Sequence, residues 1–490
     1  MGKKISIIGS GFSSLASACY LAKNGYEVTV YEKNSSLGGR ARQFSKKGFT
    51  FDMGPSWYWM PDVFDKFFND FGKETKDFYK LKKLNPAYKV YFGENDSISI
   101  EDSLEKIKKV FEYEEKGSAK KLEEFISNAK ENYSIAVTDL LYKMPGLSPL
   151  ELITKKTVLK AGSFLSNIRK EVRKRFKNKK LRSILEFPVL FLGAKASNTP
   201  AFYNFMNYAD FGLGTWQPEN GFYDVVQAMV DLGKSFGVKY LTDHEISSIN
   251  IKNSKVESLT INNSEFESDI VLSGADYAHT ETLLSSNYRQ YSNKYWSKKT
   301  WAPSSLLFYV GFDKKISDVA HHNLFFDTNF DDHAVDIYDK PKWPKDPLFY
   351  ANFTSKTNSK TAPKGCENGF FLIPLATNLE DNDEFREKYF NIIITRLEKL
   401  TNQKLKNNII FKESFCVNDF IKDYNSYGGN AYGLANTLFQ TAFLRPKIKS
   451  NKLKNLYFSG QLTVPGPGVP PAIVSGKLVS DLILKDEKVI

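Results

Sequence analysis

The stretch from residue 4 to residue 33 constrains this 490-residue chain more than any other. Ile5, Ile7 and Ile8 give an apolar strand, and Gly9-Ser10-Gly11 gives a turn. Leu15, Ala16, Ala18, Cys19, Leu21 and Ala22 supply the small apolar residues of a closely packed helix. Asn24-Gly25 stops that helix, and Tyr26-Glu27-Val28-Thr29-Val30-Tyr31 is β-branched and aromatic, as a second strand requires. A βαβ unit of this kind offers the uncapped amides and dipole of a helix N-terminus to an anion. Gly9 permits the tight turn, and Gly11 lets the backbone approach a pyrophosphate. The third position of the fingerprint is Ser14, where glycine is usual, so the closest helix–strand approach is expected to loosen. Glu32 ends the second strand, placed to accept hydrogen bonds from a ribose. Together these residues predict a bound dinucleotide.

The next segment narrows the dinucleotide to FAD. Leu37-Gly38-Gly39-Arg40-Ala41-Arg42 follows the acid at once, then Phe51-Asp52-Met53-Gly54-Pro55-Ser56. The glycine pair lets backbone pass close to a flavin, and Arg40 offers a planar fork of donors.

These motifs resemble those of the FAD-linked amine oxidase and carotenoid desaturase superfamily. At the other end, Tyr427-Gly428-Gly429-Asn430-Ala431-Tyr432-Gly433-Leu434, Phe443-Leu444-Arg445-Pro446, Asn455-Leu456-Tyr457-Phe458-Ser459-Gly460 and Pro465-Gly466-Pro467-Gly468-Val469-Pro470 resemble the bacterial-type phytoene desaturase signature. Trp57-Tyr58-Trp59-Met60-Pro61 is similar to the phytoene branch rather than to later-acting carotenoid desaturases. The resemblance runs from residue 4 to about 484. It implies Gly9, Gly11 and Ser14 at the pyrophosphate turn, Glu32 on the adenosine ribose, and Gly39 and Arg40 near the flavin. It further implies a backbone contact to adenine through Ile246, Gly460 and Gln461 at a second pyrophosphate contact, and Gly468 and Val469 beside the flavin ring. Gln461 stands where related flavoenzymes often carry an acid, and with Ser14 it is expected to weaken FAD binding. The implied reaction is desaturation of phytoene toward lycopene, with quinone or oxygen as final electron acceptor. Another carotenoid-modifying activity, or a prenyl-lipid carrier of the same fold without redox chemistry, stays open.

The fold expected is α/β. A Rossmann-type FAD-binding domain is assembled from discontinuous segments (1–100, 196–280 and 426–490). Between them lie a helical membrane-facing region (101–195) and an inserted α+β substrate domain (281–425). Trp57, Tyr58 and Trp59 are the candidate substrate faces, since aromatic rings suit both polyene packing and transient positive charge. The sequence identifies no catalytic acid or base, Glu151 being the nearest guess.

Charge adds a partner. Residues 155–182 hold 12 Lys/Arg and the single acid Glu171, so this segment carries a net +11 of the chain's +12. Within it Ala161, Leu165, Ile168, Val172 and Phe176 recur at three and four, predicting a basic amphipathic helix able to lie on anionic lipid. No reading motif accompanies the cluster, so nucleic acid is not expected. No leader is expected, because Met1-Gly2-Lys3-Lys4 runs straight into a strand, and no run approaches the ~18 apolar residues of a membrane span. The expected location is the cytoplasmic face of the cell membrane. Cys19, Cys366 and Cys416 lie far apart, which suits a reducing compartment. The five histidines show no ligand spacing, adjacent His321 and His322 read as loop, and no metal site is expected.

Overall fold

A computed structural model describes residues 2–488 apart from 153, 155, 156, 158 and 159. Its nucleotide-binding part is a five-stranded sheet of β1 (Lys4–Ile8), β2 (Glu27–Tyr31), β3 (Lys239–Leu241), β4 (Ile270–Ser273) and β5 (Leu456–Phe458). The order is β5-β4-β1-β2-β3, and every neighbouring pair is parallel. Three separated stretches of chain therefore build one sheet. The central strand β1 is buried on both faces, which is why its apolar residues run together instead of alternating.

Helix α1 (Phe12–Lys23) packs against α2 (Tyr223–Ser235) and α3 (Val469–Asp486). Every α1 residue from Phe12 to Ala22 is buried, so small side chains are needed all round. The α1–α3 approach is closest at Gly476, where a Cβ would lie 2.5 Å from Ser13 O and 2.7 Å from Ala16 Cβ.

A seven-stranded sheet forms the second layer, in the order Ile409–Phe415, Ser304–Phe312, Glu367–Leu375, Phe349–Asn352, His322–Phe325, Tyr88–Gly93 and Asp96–Ile100. Its last two strands end by residue 100 and pair with this sheet rather than with the nucleotide-binding one, so the boundary expected at residue 100 does not follow the strand pairing. Alternation divides its two faces. Leu306, Phe308, Val310, Phe371 and Ile373 pack with the long helix Asp383–Thr401, while Leu307, Phe370 and Leu372 face a cavity.

Two expectations are corrected here. His322 is not in a loop: it opens the strand His322–Phe325, while His321 lies in the connection just before that strand, and both rings are buried. The basic segment is not one continuous amphipathic helix. It breaks at Ser166-Asn167, where Asn167 caps a new helix Ile168–Arg175, and Phe176 leaves that helix in an extended conformation. Ile168, Val172 and Phe176 are fully buried in the protein's own core, so that stripe is unavailable to lipid. Several of the cations are tied internally: Arg169 and Arg173 to buried Glu186 and to Asp331, Arg175 to Glu171, and Lys180 to Asp96. Lys170, Lys174, Lys177 and Lys179 remain exposed, whereas Lys155 and Lys156 lie outside the described residues.

Candidate active site

One cavity of about 840 Å³ runs from the carboxyl edge of the parallel sheet to the apolar face of the seven-stranded sheet. Ligands of open α/β sheets bind at that edge, outside the carboxyl ends of the strands. Gly9, Gly11, Glu32, Gly39, Arg40, Ile246, Gly460, Gln461, Gly468 and Val469 all line it, as do Trp57 and Trp59.

The polar half is built from turns. Gly9 follows β1 with φ +83°, a left-handed conformation favourable only to glycine among ordinary residues, and its N–H donates to Tyr31 O at 2.8 Å. Gly11 caps α1 without any side-chain cap, leaving the first-turn amides to an anion. The second turn closes on the first. Gly38 N–H donates to Ser10 O at 3.1 Å, and a Cβ on Gly39 would lie 3.2 Å from Gly11 Cα.

Glu32 locks this corner from beneath. One carboxylate oxygen accepts from Ser10 N–H (3.0 Å) and Ser10 Oγ (2.7 Å), the other from Asn34 N–H and Asn34 Nδ2 (both 2.9 Å). A ribose hydroxyl would replace one of the two side-chain donors. His244 N–H donates to Glu32 O at 2.8 Å, which brings Ile246 to the same wall.

Arg40 crosses to the far side of the cavity. Its Nη2 donates to Asn430 O at 3.1 Å, its plane lies 5.0 Å from the centre of the Tyr424 ring, and its Nε has no partner. Desolvation lowers its pKa, offset in part by Asp276, whose own carboxyl is pushed up by burial. Gln461 donates to Asn430 Oδ1 at 3.1 Å. An uncapped helix, an orphaned guanidinium nitrogen and glycines at the points of closest approach fit an FAD diphosphate and ring.

Three expected residues fall elsewhere. Ser14 does not line the cavity; it is fully buried in α1 and faces Gly274 after β4, so the glycine absent from the helix is supplied by the strand side. Tyr58 points away from Trp57 and Trp59, stacks on Phe64 at 4.1 Å and hydrogen-bonds Tyr79 at 2.8 Å, a core position. The Glu151 carboxylate accepts from the backbone N–H groups of Gly146, Leu147 and Ser148 and so holds a turn together outside the cavity.

Other residues went unforeseen. Asp276 lies just past β4, caps the helix beginning at Tyr277 and faces Arg40. The strand-then-Gly274-Ala275-Asp276 pattern was the available signal. Ser56 and Tyr350 line the apolar half and hydrogen-bond each other at 2.9 Å, a pairing with no linear signal.

Comparisons with known proteins agree with this geometry. The family model described as "Flavin containing amine oxidoreductase" matches residues 12–484. A carotenoid 3,4-desaturase of Haloarcula japonica is 38% identical over 99% of each chain. A 4,4'-diapophytoene desaturase of Staphylococcus haemolyticus is 30% identical, covering 98% of this chain and 99% of the relative. Among solved structures, an oxidoreductase from Methanosarcina mazei has TM-score 0.61 at 16% identity, covering 98% of this chain and 99% of that one. A putrescine oxidase bound to putrescine has TM-score 0.62 at 12% identity over 99% of each chain, a likeness of fold alone. The chain belongs to the flavin-containing amine oxidoreductase family, within its carotenoid desaturase group, and its cofactor is FAD.

Proposed function

We propose that this protein is an FAD-dependent desaturase of carotenoids, with phytoene as its substrate and lycopene as the end product. The observation that carries the reading is one cavity whose polar half fits FAD and whose other half is walled by Trp57, Trp59, Phe187, Leu324, Phe370 and Leu372. FAD, when bound, supplies a two-electron oxidant that takes hydride from an allylic carbon. The chain's own residues do the rest. Glu32, the α1 amides and Arg40 would hold the cofactor, and the apolar wall would exclude water and align the polyene. Aromatic faces such as Trp57 stabilise the allylic cation. A bare lipid carrier would have no use for the uncapped α1 and the orphaned Arg40 Nε.

Substrate access supports a membrane surface. Phe439 and Leu444 line the cavity and are yet 79% and 40% exposed, which puts them at its mouth. Leu165 (86% exposed) follows Phe164 of the cavity wall. Leu147 and Leu150 are also exposed, and follow Gly146, whose carbonyl accepts from Lys447 Nζ at 2.6 Å. Among the described residues, Phe439 and Leu444 thus set exposed apolar surface at the opening, and such a patch marks an interaction surface. We place the protein on the inner face of the cell membrane, held by this rim rather than by a helix over 155–182, with exposed Lys170 and Lys174 favouring anionic lipid. No described helix is long and apolar enough to cross a membrane. Quinone or oxygen would be the final electron acceptor.

The 38% identity to a carotenoid 3,4-desaturase favours a second substrate, an already conjugated carotenoid. Pigment analysis in bacterial hosts accumulating phytoene, diapophytoene or lycopene tests both. Lycopene formed from phytoene supports the first reading. A product from lycopene alone, with two or more added double bonds, replaces it with the second. Unchanged pigment in every host holding FAD-loaded protein refutes both.

A further inference from the structure

Desaturation removes a hydride from one carbon and a proton from its neighbour, and the proton needs an acceptor. Among the described residues, the carboxylates that line the cavity are Glu32, Glu245, Asp276 and Asp423, all at the nucleotide end. His244 and His279 lie there too. In the apolar half His333 has both ring nitrogens engaged by backbone, Nε2 with Pro374 O at 2.9 Å and Nδ1 with Leu348 N–H at 3.0 Å. Its acid–base capacity is spent on the fold.

Tyr350 is placed differently. Its ring lines the cavity, and its hydroxyl meets Ser56 Oγ at 2.9 Å and His322 Nδ1 at 2.6 Å. Asn352 Nδ2, a donor only, lies 3.0 Å from the same Nδ1. Nδ1 is therefore the unprotonated acceptor, the proton of neutral His322 sits on Nε2, and Tyr350 donates its hydroxyl hydrogen to Nδ1. His322 Nε2 is fully buried and finds no acceptor, a departure from the satisfied state of most buried polar groups. The ring also stacks flat on Trp57, with centroids 4.1 Å apart and planes 9° apart. Burial and the neighbouring His321 hold His322 well below its ordinary pKa, so it stands neutral at rest.

The position suits the reaction. Ser56 lies two residues beyond Gly54, whose Cβ would lie 2.5 Å from Arg40 O on the cofactor side. The Ser56–Tyr350 pair thus belongs to the end of the apolar half nearest Arg40 in the chain, where a polyene would meet the cofactor.

On the desaturase reading above, we propose that Tyr350 is a catalytic residue and His322 a positioning residue behind it, together forming the relay that takes the proton. One substrate hydrogen leaves with both electrons for the oxidised FAD of the established cofactor. The C–H bond of the adjacent carbon then breaks, and its electron pair becomes the new C=C bond. The proton passes to Tyr350 Oη as the tyrosine's own hydrogen moves to His322 Nδ1, leaving a protonated imidazole and a neutral tyrosine.

The test is single-turnover formation of the lengthened polyene, followed by absorbance, with FAD-loaded enzyme and a carotenoid in vesicles, in H2O and in D2O. Tyr350→Phe is expected to slow this step by about 10²-fold, the usual contribution of a positioned acid–base group. It should also abolish a solvent isotope effect present in the wild type, while FAD affinity measured by spectral titration holds. His322→Gln keeps an acceptor that cannot take a proton and is expected to give the same result. Unchanged polyene formation in Tyr350→Phe, or no solvent isotope effect in the wild type, overturns the relay alone, even if His322→Gln does not fold. A wild-type enzyme that lengthens no carotenoid overturns the desaturase reading and the relay with it.

Discussion

Gly274→Ala puts the helix–strand contact beneath the pyrophosphate turn to a quantitative test. A Cβ at position 274 would lie 2.0 Å from Ser14 Oγ, 3.3 Å from Ser14 Cβ and 3.4 Å from Ser13 Oγ. The first contact is soft, because Ser14 Oγ has no hydrogen-bond partner and loses none by rotating. The second is not, since both carbons are fixed to their backbones and one element must move by a few tenths of an ångström. That is overpacking, with a cost of ~1–3 kcal/mol. Taking ~2 kcal/mol, and letting all of it displace the α1 N-terminus, the FAD dissociation constant rises by at most ~30-fold. Ser14→Gly in the same chain removes both atoms of the clash, at up to ~1 kcal/mol for a glycine in a helix. The double variant is therefore expected to bind FAD and resist heating better than Gly274→Ala alone, a strong non-additivity between touching residues. Spectral titration with FAD and thermal unfolding of the four proteins read it out. If the two substitutions simply add, Gly274 does not make room for Ser14 and the reasoning is wrong.

Three further outcomes are expected. Glu32→Ala leaves the buried Ser10 N–H without its acceptor, a loss of ~1–3 kcal/mol, and FAD titration should show binding weaker by ~5-fold to ~150-fold; unchanged affinity would refute the lock described for this corner. Phe439→Ser with Leu165→Ser removes two mostly exposed apolar side chains worth ~1.5–2 kcal/mol each if they enter lipid, so co-sedimentation with phosphatidylglycerol vesicles should fall by ~10²-fold or more. Full retention would put the rim out of the bilayer. Buried Asp210, bonded to Tyr88 OH at 2.8 Å, has its pKa raised to about 8 by desolvation. The unfolded chain releases that proton near 4, so the folded state binds more protons between these values and wild-type stability falls as pH rises through this window. Asp210→Asn should flatten the decline in melting temperature between pH 5 and 9; a parallel decline would refute the assignment.

The polar half of the site was legible because its chemistry is local. Gly9, Gly11, Glu32, Gly39 and Arg40 fall within 32 consecutive residues, and turn geometry dictates their types. Ser14 was misread because its compensation, Gly274, sits 260 residues away, just after β4. Tyr58 was misread although a signal existed: in an extended stretch successive side chains alternate, so Trp57 and Trp59 share a face that Tyr58 cannot. The stripe Ile168, Val172 and Phe176 was correctly apolar, but periodicity states only that a face is covered, not whether protein or lipid covers it. Lys180 and Asp96, 84 residues apart, show how tertiary pairing then absorbs charges that the sequence leaves free.

The apolar half was not legible for a deeper reason. Its wall comes from alternate residues of distant strands, and alternation gives each strand a face without saying what lies between two faces. Apolar contact is also undirected, and one methylene more or less changes binding by only ~1–3 kcal/mol. A wall of this kind therefore selects a long polyene without choosing which bond reacts. On the proposed reading that choice falls to the fixed polar points along it: Arg40 and the glycine turns would set the cofactor, and Ser56, Tyr350 and His322 would mark one place beside it. On that reading, the bond held at that place while the chain meets the far wall would be the one oxidised. Substitutions that move the far wall should therefore shift the product pattern, whereas those at that place should stop the reaction.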